Sequence, residues 1–183
     1  QRQMCIRDSL IVASNGSPYS TASLYINDGT GQFTLIEDCG IRPSKEGGFA
    51  LGDIDGDGDL DIVVTGTDSR WIDGSAIEEA FTELFFNDGS GQFSPSGNTP
   101  FEVLLEGKVE FIDFENDGDL DVILAGENEQ ESPSTTLYSN DGSGVYTEIM
   151  DHPIENLKGG TLSIADSDDD GDSDVLICGQ GVT

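Results

Sequence analysis

Three stretches of alternating acids decide the fold of this chain. They are DIDGDGDLD from Asp53 to Asp61, DFENDGDLD from Asp113 to Asp121, and DSDDDGDSD from Asp166 to Asp174. Each is followed at once by a short aliphatic run that ends in glycine, namely IVVTG, VILAG and VLICG. Short apolar runs closed by glycine are typical of buried strands. Each acidic stretch is therefore predicted to be a loop that leads into a buried strand.

A second motif alternates with the acid loops in fixed order. It is an Asn-Asp-Gly turn at Asn27, Asn87 and Asn140, preceded by an apolar run and followed by an aromatic residue. Asp-Gly supplies the positive φ that a tight hairpin needs. The two motifs together cover 27–66, 87–126 and 140–179, and they predict one four-stranded antiparallel sheet per repeat. The acid loop and the hairpin fall on one rim, and two variable loops fall on the opposite rim.

Sheets that are apolar on both faces must stack on neighbours, and radial stacking gives a β-propeller. We therefore expect an all-β fold over residues 10–183, a β-propeller fragment with about two complete and two partial blades. Residues 1–9 break the pattern, because the strand-like Leu10–Ser14 lacks the acid loop that should precede it. We interpret 1–9 as a segment that is not native to the fold.

The balance of charges excludes several classes of function. Seven Lys and Arg stand against 37 Asp and Glu, which gives a formal net charge of -30. Nucleic acids and anionic membrane surfaces need basic patches, so we expect no nucleic-acid binding. No apolar run is long enough to span a bilayer, and the sequence begins without a signal-like segment. Three scattered cysteines predict neither a disulfide framework nor a zinc site.

The acid loops have the composition of calcium sites. Carboxylates at loop positions 1, 3, 5 and 9 can point several oxygens inward, with glycine at position 6 for the turn. We predict about three Ca²⁺ ions, with position 7 contributing its main-chain carbonyl and position 9 a bidentate carboxylate. The predicted ligands are Asp53, Asp55, Asp57, Asp59 and Asp61; Asp113, Glu115, Asp117, Asp119 and Asp121; and Asp166, Asp168, Asp170, Asp172 and Asp174.

Two qualifications belong to this metal prediction. Glu115 places a longer side chain at position 3 of the middle loop, so we expect a different reach or a weaker site there. A helix-loop-helix calcium hand needs an acid at position 12, where this chain has Val64, Leu124 and Ile177. That alternative is therefore excluded.

The loops, the IVVTG-like strands and the LYxNDGSGxF-like hairpins resemble FG-GAP or VCBS repeats, found in integrin α-subunit propellers and many secreted bacterial proteins. The resemblance runs from Leu10 to Thr183, although the literal Phe-Gly and Gly-Ala-Pro signatures are absent. It implies a propeller with calcium between the first two strands of a blade. It also implies extracellular, secreted or cell-surface work, in adhesion or as an appendage to a secreted enzyme.

We expect a binding or adhesion scaffold with structural calcium, whose protein or carbohydrate ligand meets the rim opposite the metal loops. A non-catalytic propeller attached to a secreted hydrolase or lyase is the alternative. A propeller that is itself a hydrolase or lyase is disfavoured, because His152, the single histidine, has no nucleophile motif beside it. The insertion at 68–81 holds the single tryptophan, Trp71 beside Arg70, which either grips a ligand or caps the blade edge.

Overall fold

The structure, a computed structural model, describes residues 9–16 and 19–181, with side chains from residue 22 onward except at position 71. Within these residues the chain forms strands and no helix, hence no helix that could cross a bilayer. The strands are β1 (Ser9–Gly16), β2 (Tyr19–Asn27), β3 (Phe33–Ile36), β4 (Lys45–Gly52), β5 (Asp61–Ile72), β6 (Ser75–Asn87), β7 (Phe93–Pro95), β8 (Leu104–Ile112), β9 (Asp121–Asn128), β10 (Pro133–Asn140), β11 (Tyr146–Ile149), β12 (Leu157–Ala165) and β13 (Asp174–Gly181). Residues 1–8 of the segment set aside above lie outside the described residues, and Ser9 begins β1.

The strands form four antiparallel sheets, which we number as blades in chain order. Blade one is β1-β2-β3, blade two is β4-β5-β6-β7, blade three is β8-β9-β10-β11 and blade four is β12-β13. Each sheet follows the chain from strand to neighbouring strand, as in an up-and-down meander. The expected all-β propeller fragment, with two four-stranded blades and two partial ones, is confirmed, and the described blades do not close into a ring.

The hydrophobic core lies between successive blades. Ile62 and Val64 of β5 pack with Leu24 of blade one, whereas the alternate residue Val63 packs with Leu104 of blade three. Blade three repeats the arrangement: Val122 and Leu124 face blade two, and Ile123 faces Leu162 of blade four. The strand after each acid loop is thus buried on both faces in blades two and three, because neighbouring blades cover it from either side.

The two rims of the stack carry different kinds of connection. One rim, the acidic rim, holds the acid loops 53–60, 113–120 and 166–173 and the hairpins 28–32, 88–92 and 141–145. Asn87 Nδ2 in a hairpin donates to the carbonyl of Leu60 in the acid loop of the same blade, at 3.1 Å. The opposite rim, the far rim, holds the blade-to-blade loops 37–44, 96–103 and 150–156.

The insertion at 68–81 is not the variable loop that its position in the repeat predicts. β5 and β6 continue antiparallel through it, with pairs from Asp68↔Glu79 to Ile72↔Ser75. A tight turn with positive φ at Asp73 and Gly74 closes the extension. The Asp-Gly dipeptide carries this signal in the sequence. The extra residues therefore lengthen a hairpin of blade two, and Arg70 pairs there with Asp68 at 2.9 Å.

Candidate metal centres

The acid loop of blade two brings three of its predicted ligands together. Asp53, Asp55 and Asp61 each offer one carboxylate oxygen, and these oxygens lie within 4.8 Å of one another. Asp55 is exposed, whereas Asp61 at the start of β5 is buried. Positions 1, 3 and 9 of the loop thus converge on one point, as a bound cation would require.

Asp61 is fixed at the base of this group by the backbone. Its Oδ2 accepts from the amide of Ile54 at 3.1 Å, and its Oδ1 accepts from the amide of Asn87 at 2.9 Å. Burial raises the pKa of Asp61 to about 6, and the charges of Asp55 and Asp57 add to the rise, against the two backbone hydrogen bonds. A positive ion beside this carboxylate would favour its charged form.

Asp53 offers an oxygen that no described residue satisfies. Its Oδ2 accepts from the amide of Gly58 at 3.1 Å, where a φ of 97° turns the loop. Its Oδ1 is buried and has no hydrogen-bond partner among the described residues. Buried carboxylate oxygens without partners are costly. A divalent cation held with Asp55 and Asp61 fits this oxygen, so the residues present suit a metal.

The acid loop of blade three has the same buried aspartate as that of blade two, but its carboxylates do not converge. Asp121 is as buried as Asp61, accepts from the amides of Phe114 at 3.2 Å and Asn140 at 2.8 Å, and burial raises its pKa to about 6. Glu115, however, turns aside, because its Oε2 accepts from Ser139 Oγ at 3.0 Å. In the described structure the acids of this loop do not form a converging group of three.

The loop of blade four converges in an exposed setting. Asp166, Asp168 and Asp174 place their oxygens within 4.8 Å of one another, and all three side chains are exposed. The hydroxyl and the amide of Ser167 both donate to Asp174, and these hydrogen bonds hold the pKa of its carboxyl below the usual value. This loop therefore has carboxylates in place, without the burial that surrounds Asp61.

The remaining predicted ligands lie outside the converging groups. Asp57, Asp117 and Asp170 each accept the amide two residues further on, within their own loops. Asp59 and Asp119 face the hairpin glycines Gly89 and Gly142, where any side chain would collide with the carboxylate. Asp172 accepts from Asn116 Nδ2 at 2.9 Å, which joins the acid loops of blades three and four.

Asn140 ties two blades together at the acidic rim, a role that its place in the hairpin motif alone did not predict. Its Nδ2 donates to the carbonyl of Ile54 in blade two at 3.0 Å and to that of Leu120 in blade three at 3.2 Å. The side chain is buried. The same hairpin brings Gly144 against Phe86 and Ile54 of blade two. Each acid loop of blades two and three is therefore held by a hairpin.

The far rim contains a pocket that motif analysis missed, because its residues come from the variable loops. It has a volume of about 510 Å³ and lies on blade three. His152 is one of its lining residues and is half-buried, with Nδ1 buried and unpartnered among the described residues.

Stacked antiparallel blades with an acid loop before the second strand define a β-propeller-type repeat protein. A family model described as FG-GAP-like repeat matches residues 7–64 and 113–177, which is more than half of the chain. The chain belongs to the FG-GAP-like repeat family, and the resemblance stated from its motifs is confirmed.

Two further comparisons add little to this assignment. A search of the curated proteins found no match. Among solved structures, the chain is similar to an Agrocybe aegerita lectin, described as recognising non-reducing terminal N-acetylglucosamine, at 16% identity and a TM-score of 0.32. The alignment covers 93% of this chain and 60% of the lectin chain. We take neither fold nor function from so distant a likeness.

Proposed function

We propose that this chain is a calcium-binding β-propeller module that acts as an extracellular binding or adhesion scaffold, with structural rather than catalytic metal. One observation carries the proposal: carboxylate oxygens of Asp53, Asp55 and Asp61 lie within 4.8 Å of one another, and the buried Asp53 Oδ1 has no partner in the described part of the chain. Three carboxylates in that space repel one another until a cation joins them.

Calcium suits these loops better than magnesium does. It accepts six to eight oxygen ligands in a flexible arrangement at about 2.3 to 2.6 Å, whereas magnesium demands a strict octahedron and keeps its water. The loop of blade two offers the three converging carboxylates, and we propose that Asp57 and the main-chain carbonyl of Asp59 complete the set. The corresponding residues of the other two loops would hold one ion each. When bound, the ion supplies the positive charge that the loop lacks.

The contacts of the acid loops support a structural role for the proposed ions. The acid loops are bonded to hairpins of their own blades, and Asn140 carries the link across to blade two. An ion that stiffens a loop would therefore stiffen the packing between blades. The ligand surface would then lie at the far rim, away from the ions, and a protein or carbohydrate could meet it there.

The proposed setting outside the cell rests on charge and exposure. Extracellular calcium modules function with affinities of about 10⁻⁴ to 10⁻³ M, which suits loops as exposed as that of blade four. The formal net charge of -30 favours cationic partners and disfavours nucleic acid. We also propose that the module is not an enzyme, since carboxylates that hold an ion are poor proton donors.

Calorimetry with added calcium tests the metal sites. We expect saturable heat on titration and a rise in melting temperature that excess chelator reverses. At a calcium concentration 100 times the Kd, each ion stabilises the fold by about 2.7 kcal/mol. Asp53→Asn should remove one ion, whereas the control Asp73→Asn in an exposed turn should remove none. A chelator that leaves the melting curve unchanged would contradict the proposal.

A second experiment separates a structural ion from one that binds ligand directly. Asp57→Ala should lower thermal stability in calcium while any partner identified for the far rim still binds. Loss of that partner with an unchanged melting temperature would show instead that the ion belongs to the ligand site.

A further inference from the structure

The far-rim pocket is a cavity of about 510 Å³ that is lined by β10 and β11 of blade three and by the loops on either side of the blade. It forms where β11 pairs with β10 only from Leu137 to Asn140, so that Pro133–Thr136 extend beyond the ladder. The loops 96–103 and 150–156 supply its other walls. Pockets for small organic ligands commonly have about 300 to 1,000 Å³, so the space is adequate for one.

The lining is polar and acidic. Glu102 Oε2 accepts from Ser134 Oγ at 2.5 Å, and the amide of Glu102 donates to the hydroxyl of Tyr138 at 2.9 Å. The lining includes Glu102, Ser134, Thr136, Tyr138, Glu148 and His152. Two carboxylates stand among the described lining residues, and no lysine or arginine does. An anionic ligand is therefore disfavoured.

The corresponding place in blade two is filled by an arginine of the chain itself. Arg42 Nε lies 3.2 Å from Asp68, its Nη2 lies 2.8 Å from Glu79, and its Nη1 lies 3.0 Å from Glu83. The guanidinium also lies over the ring of Phe81, at 4.2 Å from the centroid. Blade two thus encloses a guanidinium between carboxylates and an aromatic face.

The strand registers place Glu102 of blade three where blade two has Arg42. Arg42 precedes β4 and pairs with Asp68 of β5, whereas Glu102 precedes β8 and accepts from Asn128 of β9 at 3.4 Å. The third strands of the two blades, β6 and β10, differ at two positions where blade three has the smaller residue.

The first of these replacements is Ser134 for Phe81, and the second is Thr136 for Glu83, counted back from the hairpin asparagines. Blade three therefore has a carboxylate at the position where blade two has a cationic side chain, and smaller side chains surround that position. These differences leave space for the cavity.

Two further observations show polar groups left for a ligand. His152 Nδ1 is buried and has no partner among the described residues. Glu148 lies directly opposite Tyr138 in the pairing of β11 with β10, and the amide of Glu102 donates to the Tyr138 hydroxyl, so both glutamates flank this side chain. Two carboxylates and a ring nitrogen without a partner among the described residues are a suitable environment for a planar cation with several N–H donors.

We propose that the far-rim pocket of blade three binds a ligand that carries a guanidinium group, in the place that the side chain of Arg42 fills in blade two. The inference goes beyond the proposed function, because it assigns a site and a ligand chemistry to the rim without the acid loops. Glu102 and Glu148 would pair with the guanidinium, while the hydroxyls of Ser134 and Thr136 border it.

Titration calorimetry at saturating calcium tests the proposal with two probes of similar size and shape, one carrying a guanidinium and the other a neutral ureido group. N-acetylarginine amide should bind at least about tenfold more tightly than N-acetylcitrulline amide, whose ureido group is neutral. Equal binding of the two probes, or no heat from either, would overturn the proposal. Agmatine in a third titration distinguishes a free guanidino compound, which it represents, from an arginine of a polypeptide, which the amide represents.

Variants locate the site. Glu102→Gln and the exposed Glu148→Gln should each weaken N-acetylarginine amide about tenfold, whereas Glu129→Gln, an exposed acid between β9 and β10, should leave binding unchanged. Glu102→Arg should abolish binding, because it places in blade three the cationic side chain that Arg42 supplies in blade two. If both glutamine variants bind as the parent does, the pocket is not the site. Melting curves in calcium establish that each variant is folded, and Glu148→Gln remains decisive should Glu102→Gln unfold.

Discussion

The acid loops of blades two and three follow the same nine-residue pattern, yet only the loop of blade two brings its first, third and ninth carboxylates together. Both loops bury their last aspartate and bond it to two backbone amides. They differ at position 3, where Asp55 stays with the group and Glu115 bonds to Ser139. The anchor of the loop and the convergence of its carboxylates are therefore separable properties.

The partner of Glu115 explains the difference. Ser139 precedes the hairpin asparagine of blade three and supplies a hydroxyl, whereas blade two has Phe86 at that place and offers no donor. The longer glutamate side chain reaches the hydroxyl. A change of one acid in the loop thus accompanies a change of one residue in the neighbouring strand. Four series of substitutions test the comparison between the loops of blades two and three.

The largest effect is expected where the two loops are alike. Asp61→Ala and Asp121→Ala should each lower the free energy of unfolding by about 3 kcal/mol in excess chelator, because each leaves two backbone amides without an acceptor. Asp174→Ala, which removes an exposed carboxylate, should cost less than about 1 kcal/mol. Urea denaturation measures all three. Equal losses at the three positions would mean that burial of the anchor is unimportant.

The part of the unfolding free energy that depends on calcium should differ between the two loops. Asp55→Asn should remove most of the calcium stabilisation of its loop, about 2.7 kcal/mol at 100 times the Kd, whereas Glu115→Gln should remove less. The quantity to compare is the difference in unfolding free energy with calcium and with chelator. If Glu115→Gln removes as much as Asp55→Asn, then Glu115 moves to the ion on binding, and the two loops are equivalent when loaded.

The hairpin asparagines offer a third contrast. Asn140→Ala should lower the free energy of unfolding by about 2 kcal/mol, and Asn87→Ala should lower it by about 1 kcal/mol. The reason is that Asn140 Nδ2 donates to two carbonyls, whereas Asn87 Nδ2 donates to one. Thermal unfolding in chelator gives both values. An equal cost would indicate that the bond from Asn140 to blade two adds nothing to stability.

The smallest change should repair the middle loop. Glu115→Asp shortens the side chain away from Ser139 and should tighten calcium binding there about tenfold, or about 1.4 kcal/mol. The reverse exchange, Asp55→Glu, should weaken the loop of blade two by a similar factor. Calorimetric titration of the two variants follows the change. An unaltered affinity in both would show that the acid at position 3 does not set the strength of the site.

The sequence predicts most of the architecture because the repeat is written in local signals. Apolar runs such as Ile62–Val64, closed by glycine, predict strands that are buried on both faces, and alternate residues pack against both neighbouring blades. The turn at Asn87 predicts its hairpin for the same reason. The position of the insertion in the repeat predicts a variable loop and not the extension of blade two, although Asp73-Gly74 is itself a hairpin signal.

The candidate sites were less accessible to sequence reasoning. Loop spacing indicates which acids are ligand candidates, but the diversion of Glu115 depends on Ser139, which belongs to another strand. The far-rim pocket depends on residues such as Glu102 and His152 in loops without a motif. Only an alignment of the repeats by position, with Glu102 beneath Arg42, contains a signal for it.

The hydrogen bond from Asn140 Nδ2 to the carbonyl of Ile54 would couple ion binding in neighbouring blades. Ile54 is also the residue whose amide fixes Asp61, so one peptide segment serves the loop of blade two and the hairpin of blade three. Occupancy of one site would lower the ordering cost at the next, which is thermodynamic coupling between neighbours. Filling should then be concerted, with a binding isotherm steeper than independent sites allow.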